Sequence, residues 1–120
     1  MAEQLRNVLS GEFDVVATVA DGHALLRVTE ALRPDVVVTD IVMPGVDGIA
    51  ATAALLARCP GTRVVLVTVH DDPGLAERGL AAGALGYVSK RRAAQELVAA
   101  VRAAILGERY ISLHIQGSRG

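Results

Sequence analysis

The sequence predicts a single α/β domain in which helices cover both faces of an open parallel sheet. Val-rich, strand-like runs alternate along the chain with segments whose apolar residues recur at helical spacing. The apolar residues in these runs are continuous rather than alternating, which is typical of strands covered on both faces. Apolar residues make up 52% of the 120 residues, but only one Phe and two Tyr are present, so the core must consist of Ala, Val, Leu and Ile.

Four runs predict the strands. In chain order they are Phe13 to Val19, Asp35 to Thr39, Arg63 to Thr68 and Ala84 to Val88. Short helical connections between parallel strands are right-handed crossovers, so these strands should point the same way. Their carboxyl ends then meet at one edge of the sheet.

Helical segments separate these runs. Their apolar residues are Leu25, Val28 and Leu32 in one segment, Ile49, Ala53, Leu56 and Ala57 in the next, and Leu97, Val101, Ala104 and Ile105 in the last. The spacing ends at Pro34, Pro60-Gly61, Gly83 and Gly107. The segment from Leu75 to Ala82 predicts the weakest helix, because Gly79 lies inside it and each helical glycine costs backbone entropy.

Charge and cysteine content exclude several classes of protein. Twelve basic and thirteen acidic residues give a formal charge of −1, so no global field attracts nucleic acid or an anionic membrane. The single cysteine, Cys59, excludes an internal disulfide and a multi-cysteine zinc site. No run of eighteen apolar residues and no export signal is found, so we expect a cytoplasmic protein without membrane contact.

Three predicted strand ends carry polar side chains of complementary chemistry. Asp40 supplies a carboxylate that can attack phosphorus, Thr68 a hydroxyl that can bond a phosphoryl oxygen, and Lys90 an ammonium that can pair with its charge. Together they predict a site that forms and holds an aspartyl phosphate.

The sequence resembles the receiver domains of bacterial two-component response regulators, especially those of the LuxR/NarL-type subgroup. The matching stretches are RPDVVVTDIVMPGVDG around Asp40, RVVLVTVHDD with Thr68, AAGALGYVSK with Lys90, and GERYIS after the last helix. The resemblance implies a flavodoxin-like (CheY-like) fold with strand order 2-1-3-4-5. We expect a receiver over residues 1–112, incomplete at its N-terminus, and a tail over residues 113–120 that is too short for the DNA-binding domain of the subgroup.

The resemblance also assigns roles to individual residues. Asp40 would be the phosphoacceptor, Thr68 and Lys90 would hold the phosphoryl group, and Thr68 and Tyr87 would form the switch. Asp40 and the backbone carbonyl of Val42 would be ligands of Mg²⁺. The partners implied are a histidine kinase and a second copy of the chain, with no direct nucleic acid contact, and the protein would not be an enzyme.

The chain departs from the family pattern at its start. The expected first strand and the pair of acidic residues that ends it are absent, and residues 2–10 match only the rest of the first helix. Four of the five strands are therefore expected, and the missing one would be central. Direct pairing of its neighbours or a strand from another chain would close the gap, or the chain would fold poorly. With Asp40 as the single carboxylate, Mg²⁺ should bind weakly. Asp71 and Asp72 are predicted to lie in a solvated loop rather than to replace the missing acidic pair.

Alternative interpretations remain at this stage. The chain could be a degenerate receiver that dimerises or docks on a partner without phosphorylation. Tyr87 could simply pack on the sheet with its hydroxyl in solvent. A phosphohydrolase with Asp40 as nucleophile is disfavoured, because such enzymes have a second acid two residues later and Val42 stands there.

Overall fold

The computed structural model describes residues 22–40, 42–43, 46–68 and 73–112. The predicted strand from Phe13 to Val19, the helical stretch over residues 2–10 and the acids Asp71 and Asp72 lie outside these ranges. Within them, none of the helices has the length and apolar content needed to cross a membrane.

Helices and strands alternate through most of the described residues. The helices are α1 (Gly22–Leu32), α2 (Gly48–Arg58), α3 (Pro73–Ala81) and α4 (Ala93–Ile105), and a 3₁₀ turn at Lys90–Arg92 precedes α4. The strands are β1 (Val36–Asp40), β2 (Val42–Met43), β3 (Val46–Asp47), β4 (Arg63–Thr68), β5 (Gly86–Ser89) and β6 (Tyr110–Ile111). Gly107, at a φ of 78°, turns the chain from the end of α4 towards β6, a conformation that favours glycine.

Four strands form one parallel sheet in the order β1-β4-β5-β6, and β2 and β3 form a separate antiparallel pair. This confirms the predicted α/β class with a parallel sheet. It also confirms three predicted strands, with β1 one residue later than predicted and β5 beginning two residues later and ending one later. Strand β6 was not predicted. Its two residues are too few to show a periodic pattern in the sequence.

The two faces of the sheet carry separate hydrophobic clusters that share strand β4. On one face Val64 and Leu66 pack with residues of α1, α2 and α3, and on the other Val65 and Val67 pack with residues of α4. Strands β4 and β5 are therefore buried along nearly their whole length, as the continuous apolar runs predicted. In β1 buried and half-buried residues alternate instead.

Candidate functional site

The carboxyl ends of three neighbouring strands meet at one edge of the sheet. Strand β1 ends at Asp40, β4 ends at Thr68, and β5 ends at Ser89, directly before Lys90. In the ladder Asp40 pairs with Val67, and Thr68 pairs with Ser89. Because β4 lies between the other two strands, Thr68 lies between the strand end that carries Asp40 and the one that leads to Lys90.

Asp40 and Lys90 form an ion pair across this edge. The ammonium of Lys90 donates a hydrogen bond from Nζ to Oδ2 of Asp40, although the two residues are 50 positions apart in the chain. The side chain of Asp40 remains 29% exposed and that of Lys90 20% exposed. The pair is thus sheltered enough for a directional contact and open enough for a small reactant to approach the carboxylate.

Thr68 and Tyr87 lie in the interior beside this pair. Both residues are fully buried, and Tyr87 packs in the cluster that contains Leu66, its partner in the ladder. Tyr87 packs in the core as one alternative proposed, but the placement of its hydroxyl in solvent is wrong for this conformation, because the residue is fully buried. Thr68 stands two positions beyond Leu66 along β4, so the two candidate switch residues are close neighbours on one face.

Comparison with known proteins agrees with this arrangement. The family model for the response regulator receiver domain matches residues 1–102. The chain belongs to this family. The receiver domain is 41% identical over 101 residues to the response regulator GacA of Pseudomonas aeruginosa, which covers 84% of this chain and 47% of that protein. The chain thus spans about half the length of this curated relative.

Solved structures of response regulators have the same fold as this receiver domain. One from Aurantimonas sp. SI85-9A1, described as LuxR family, superposes with a TM-score of 0.89 at 32% identity, covering 98% of this chain and 88% of that one. The receiver domain of the putative regulator NarL from Mycobacterium tuberculosis gives a TM-score of 0.83 at 36% identity, covering 88% and 87%. The CheY-like fold and the LuxR/NarL-type resemblance are both confirmed.

The metal ligands that the family implies are only partly present among the described residues. Receiver domains generally bind Mg²⁺ at the phosphorylation site, and Mg²⁺ prefers an octahedron of oxygen atoms. The described ranges contain no group of three His, Cys, Asp or Glu side chains placed to hold a metal. Asp40 is the carboxylate at the site, and Lys90 already contacts one of its oxygens. The donor set of the described residues therefore fits Mg²⁺ poorly.

A second carboxylate, Glu96 of α4, was missed by the sequence reasoning. It is 6% exposed and accepts hydrogen bonds from Ser112 Oγ at 2.7 Å, from Tyr110 Oη at 3.3 Å and from Arg92 Nε. Burial alone raises the pKa of Glu96, but the hydrogen bonds from Ser112, Arg92 and Tyr110 together with the charge of Arg92 lower it below its usual value. Burial and the nearby Glu96 charge raise the pKa of Tyr110, so its hydroxyl stays a donor.

Proposed function

We propose that the chain is a signalling receiver that accepts a phosphoryl group on Asp40 from a histidine kinase and thereby controls a transcriptional output. The observation that carries this proposal is the partly exposed Asp40 carboxylate, paired with Lys90 and flanked by Thr68 at the edge of the sheet. In an open parallel sheet, this edge is where phosphates and other ligands bind.

The transfer requires a nucleophile and a counter-charge, and this edge supplies both. An oxygen of Asp40 attacks the phosphorus of a phosphohistidine, an O–P bond forms, and the N–P bond to the histidine breaks. The ammonium of Lys90 already lies against the carboxylate, so it can move onto the phosphoryl oxygens as negative charge accumulates there. Only the side chain of Lys90 has to move, and only from the carboxylate of Asp40 to the phosphoryl group bound to it.

The proposed switch follows from the positions of Thr68 and Tyr87. A hydrogen bond from the Thr68 hydroxyl to the new phosphoryl group would draw that side chain towards the edge of the sheet. Tyr87 lies on the same face, with its ladder partner Leu66 two residues before Thr68, so it is the large neighbour that would fill the space left behind. The signal would then reach α3, against which Tyr87 packs, and β5, the strand to which Tyr87 belongs.

The proposal also covers partners and location. The histidine kinase and a second copy of the chain are the expected partners, and contact with DNA is assigned to no residue of this chain. A histidine kinase as phosphodonor implies a cytoplasmic location. Mg²⁺ would use Asp40 and the Val42 carbonyl, with the weak affinity that one carboxylate allows.

Mass spectrometry of the intact protein tests the phosphoacceptor directly. Incubation with Mg²⁺ and acetyl phosphate should add the mass of one phosphoryl group to the wild type and none to Asp40→Asn. Asp35→Asn is the matched control, because Asp35 is an exposed aspartate just before the same strand, and it should gain the adduct as the wild type does.

Two results would contradict the proposal. One is a wild-type protein that folds but gains no adduct, and the other is an adduct that survives Asp40→Asn. The first result would favour the alternative of a phosphorylation-independent interaction module.

A further inference from the structure

Strand β6 is short for a strand and lies at the edge of the sheet. Two backbone hydrogen bonds hold its ends, from Tyr110 N–H to Leu85 O at 2.9 Å and from Ser112 N–H to Tyr87 O at 3.0 Å. A strand of two residues contributes little stability by itself. Its attachment to β5 must therefore depend on side-chain contacts.

Glu96 provides those contacts from the neighbouring helix. Its Oε1 accepts hydrogen bonds from the side chains of Tyr110, in β6, and of Ser112, which directly follows β6. Its other oxygen, Oε2, accepts a hydrogen bond from Arg92. Ser112 is fully buried, and Glu96 is nearly so. Removal of the carboxylate charge would leave buried donors with a weaker acceptor, a loss larger than that of a contact in water.

Ser112 also joins this cluster to the edge that carries Asp40 and Lys90. Its Oγ accepts a hydrogen bond of 3.0 Å from the backbone N–H of Ser89, the residue before Lys90 and the ladder partner of Thr68. The buried Oγ of Ser89 itself has no hydrogen-bond partner among the described residues. A small shift of the end of β5 that gives Ser89 Oγ a hydrogen-bond partner would thus be favourable. The same shift would move the backbone N–H of Ser89, which donates to Ser112 Oγ.

We propose that Glu96, Tyr110 and Ser112 form a latch that holds β6 on β5, and that a change in the Asp40–Lys90 pair alters how firmly this latch closes. The second half of this inference deepens the proposed function, since phosphorylation of Asp40 is the change that would act on the pair. The latch itself stands on the described contacts alone. Strand β6 and Ser112 are then the part of the described chain that responds to the site.

Hydrogen exchange at the amides of Tyr110 and Ser112 measures the latch, because both amides bond to β5 only while β6 is attached. Glu96→Gln keeps the shape and removes the charge, and we expect exchange at these amides to accelerate about tenfold or more, the scale of one charge-assisted hydrogen bond. Ser112→Ala should act in the same direction. Glu108→Gln, an exposed glutamate just before β6, is the matched control and should leave exchange unchanged.

The amides of Val65 and Val67 in β4 report whether the whole domain has been weakened. Exchange at β6 that is faster than exchange at β4 in both proteins, and faster in Glu96→Gln than in the wild type, supports the latch, because β6 then opens without unfolding of the whole domain. Wild-type exchange at Tyr110 and Ser112 in Glu96→Gln overturns it, as does equal protection of the β6 and β4 amides in the wild type, because β6 then opens only when the whole domain unfolds.

Two further samples test the link to the site. In Lys90→Met, which keeps an apolar stem and removes the ammonium, exchange at Tyr110 and Ser112 should differ from the wild type by at least about threefold, a modest coupling energy. Wild-type protein treated with acetyl phosphate, with the adduct followed by intact mass, should also change exchange at β6. Unchanged exchange in Lys90→Met, or in a sample shown to carry the adduct, overturns the coupling. Absence of the adduct counts against the proposed function alone, because Lys90→Met still decides the coupling.

Discussion

Two carboxylates of this domain, Asp40 and Glu96, differ in what surrounds them. The side chain of Asp40 is 29% exposed and is contacted by Lys90, whereas that of Glu96 is 8% exposed and accepts from Ser112, Tyr110 and Arg92. A carboxylate enclosed by donors is held in place and cannot be approached, while a half-covered one can react. Exposure therefore separates the candidate reactive acid from the structural one.

The lowered pKa of Glu96 predicts a specific loss of stability in acid. A carboxyl group whose pKa is lower in the folded state stabilises the fold fully above its unfolded value, near 4.5, and loses this contribution as pH falls through the folded pKa. The groups facing it are Arg92, which stays charged, and Tyr110, which stays neutral, so Glu96 is the group of this cluster that titrates in acid. Chemical denaturation should therefore show Glu96→Gln less stable than wild type by about 1–3 kcal/mol at neutral pH.

The difference between the two proteins should shrink as pH falls below the unfolded value, near 4.5, because the carboxyl group then becomes protonated. Glu108→Gln serves as the control and should track the wild type at every pH, since Glu108 is exposed. A gap between Glu96→Gln and wild type that stays constant down to pH of about 3 would contradict the assigned cause.

Among single residues, contacts between the ends of parallel strands could be predicted from the sequence. Contacts that depend on how side chains pack, such as those of Glu96, could not. Asp40 and Lys90 could be brought together from sequence because parallel strands place their carboxyl ends at one edge. Glu96 depends on Tyr110 of strand β6, which was not predicted, and on Ser112, which directly follows that strand. One signal was available, since Glu96 falls on the apolar stripe of the last helix, next to Leu97 and four residues before Ala100.

At the scale of elements, helix α3 depends on a close approach to the sheet at Gly79. A Cβ atom at this position would lie 2.6 Å from Cδ1 of Leu66, which is fully buried and so has little space to move. The sequence reasoning treated this glycine as a weakness of the helix. The structure shows that it also provides the space in which α3 packs over Leu66 and beside Tyr87.

Gly79→Ala should consequently destabilise the domain even though alanine favours helices. Helix propensity alone would add up to about 1 kcal/mol of stability, but overpacking a close contact costs about 1–3 kcal/mol, and we expect a net loss of about 1 kcal/mol or more. Urea denaturation of the variant and wild type measures the difference. Gly61→Ala is the control, because a Cβ there meets nothing within 4 Å. Increased stability in Gly79→Ala would show that Leu66 yields and that the approach is not tight.

Elements were predictable from sequence in proportion to their length and burial. Strand β4 was predicted to the residue because five consecutive apolar or β-branched positions, from Val64 to Thr68, follow Arg63 and the Pro60-Gly61 break. The start of β5 was not, because Ala84 and Leu85 continue the apolar run while the ladder begins at Gly86. Strand β6 forms because the turn at Gly107 and the Glu96 cluster place it there, and both are tertiary effects.

At the scale of the whole molecule, the central position of β4 makes the two hydrophobic clusters one cooperative core. Alternate residues of this strand belong to opposite clusters, and all of them from Val64 to Val67 are fully buried. A helix that detaches from either face would expose the same strand. Loss of packing on one side should therefore weaken the packing on the other, and the described residues should unfold in one transition.

Paired truncations on the two faces test this cooperativity. Leu55 of α2 and Leu97 of α4 are both almost fully buried but belong to different clusters, so Leu55→Ala and Leu97→Ala should each cost about 2–5 kcal/mol in the free energy of unfolding. Circular dichroism and tyrosine fluorescence should give coincident urea transitions in both variants, with the wild-type dependence on denaturant. Leu106→Ala is the control, because Leu106 is 73% exposed, and it should change stability by no more than about 0.5 kcal/mol. Transitions that separate in either variant would show that the two faces unfold independently, and β4 would then not unite them.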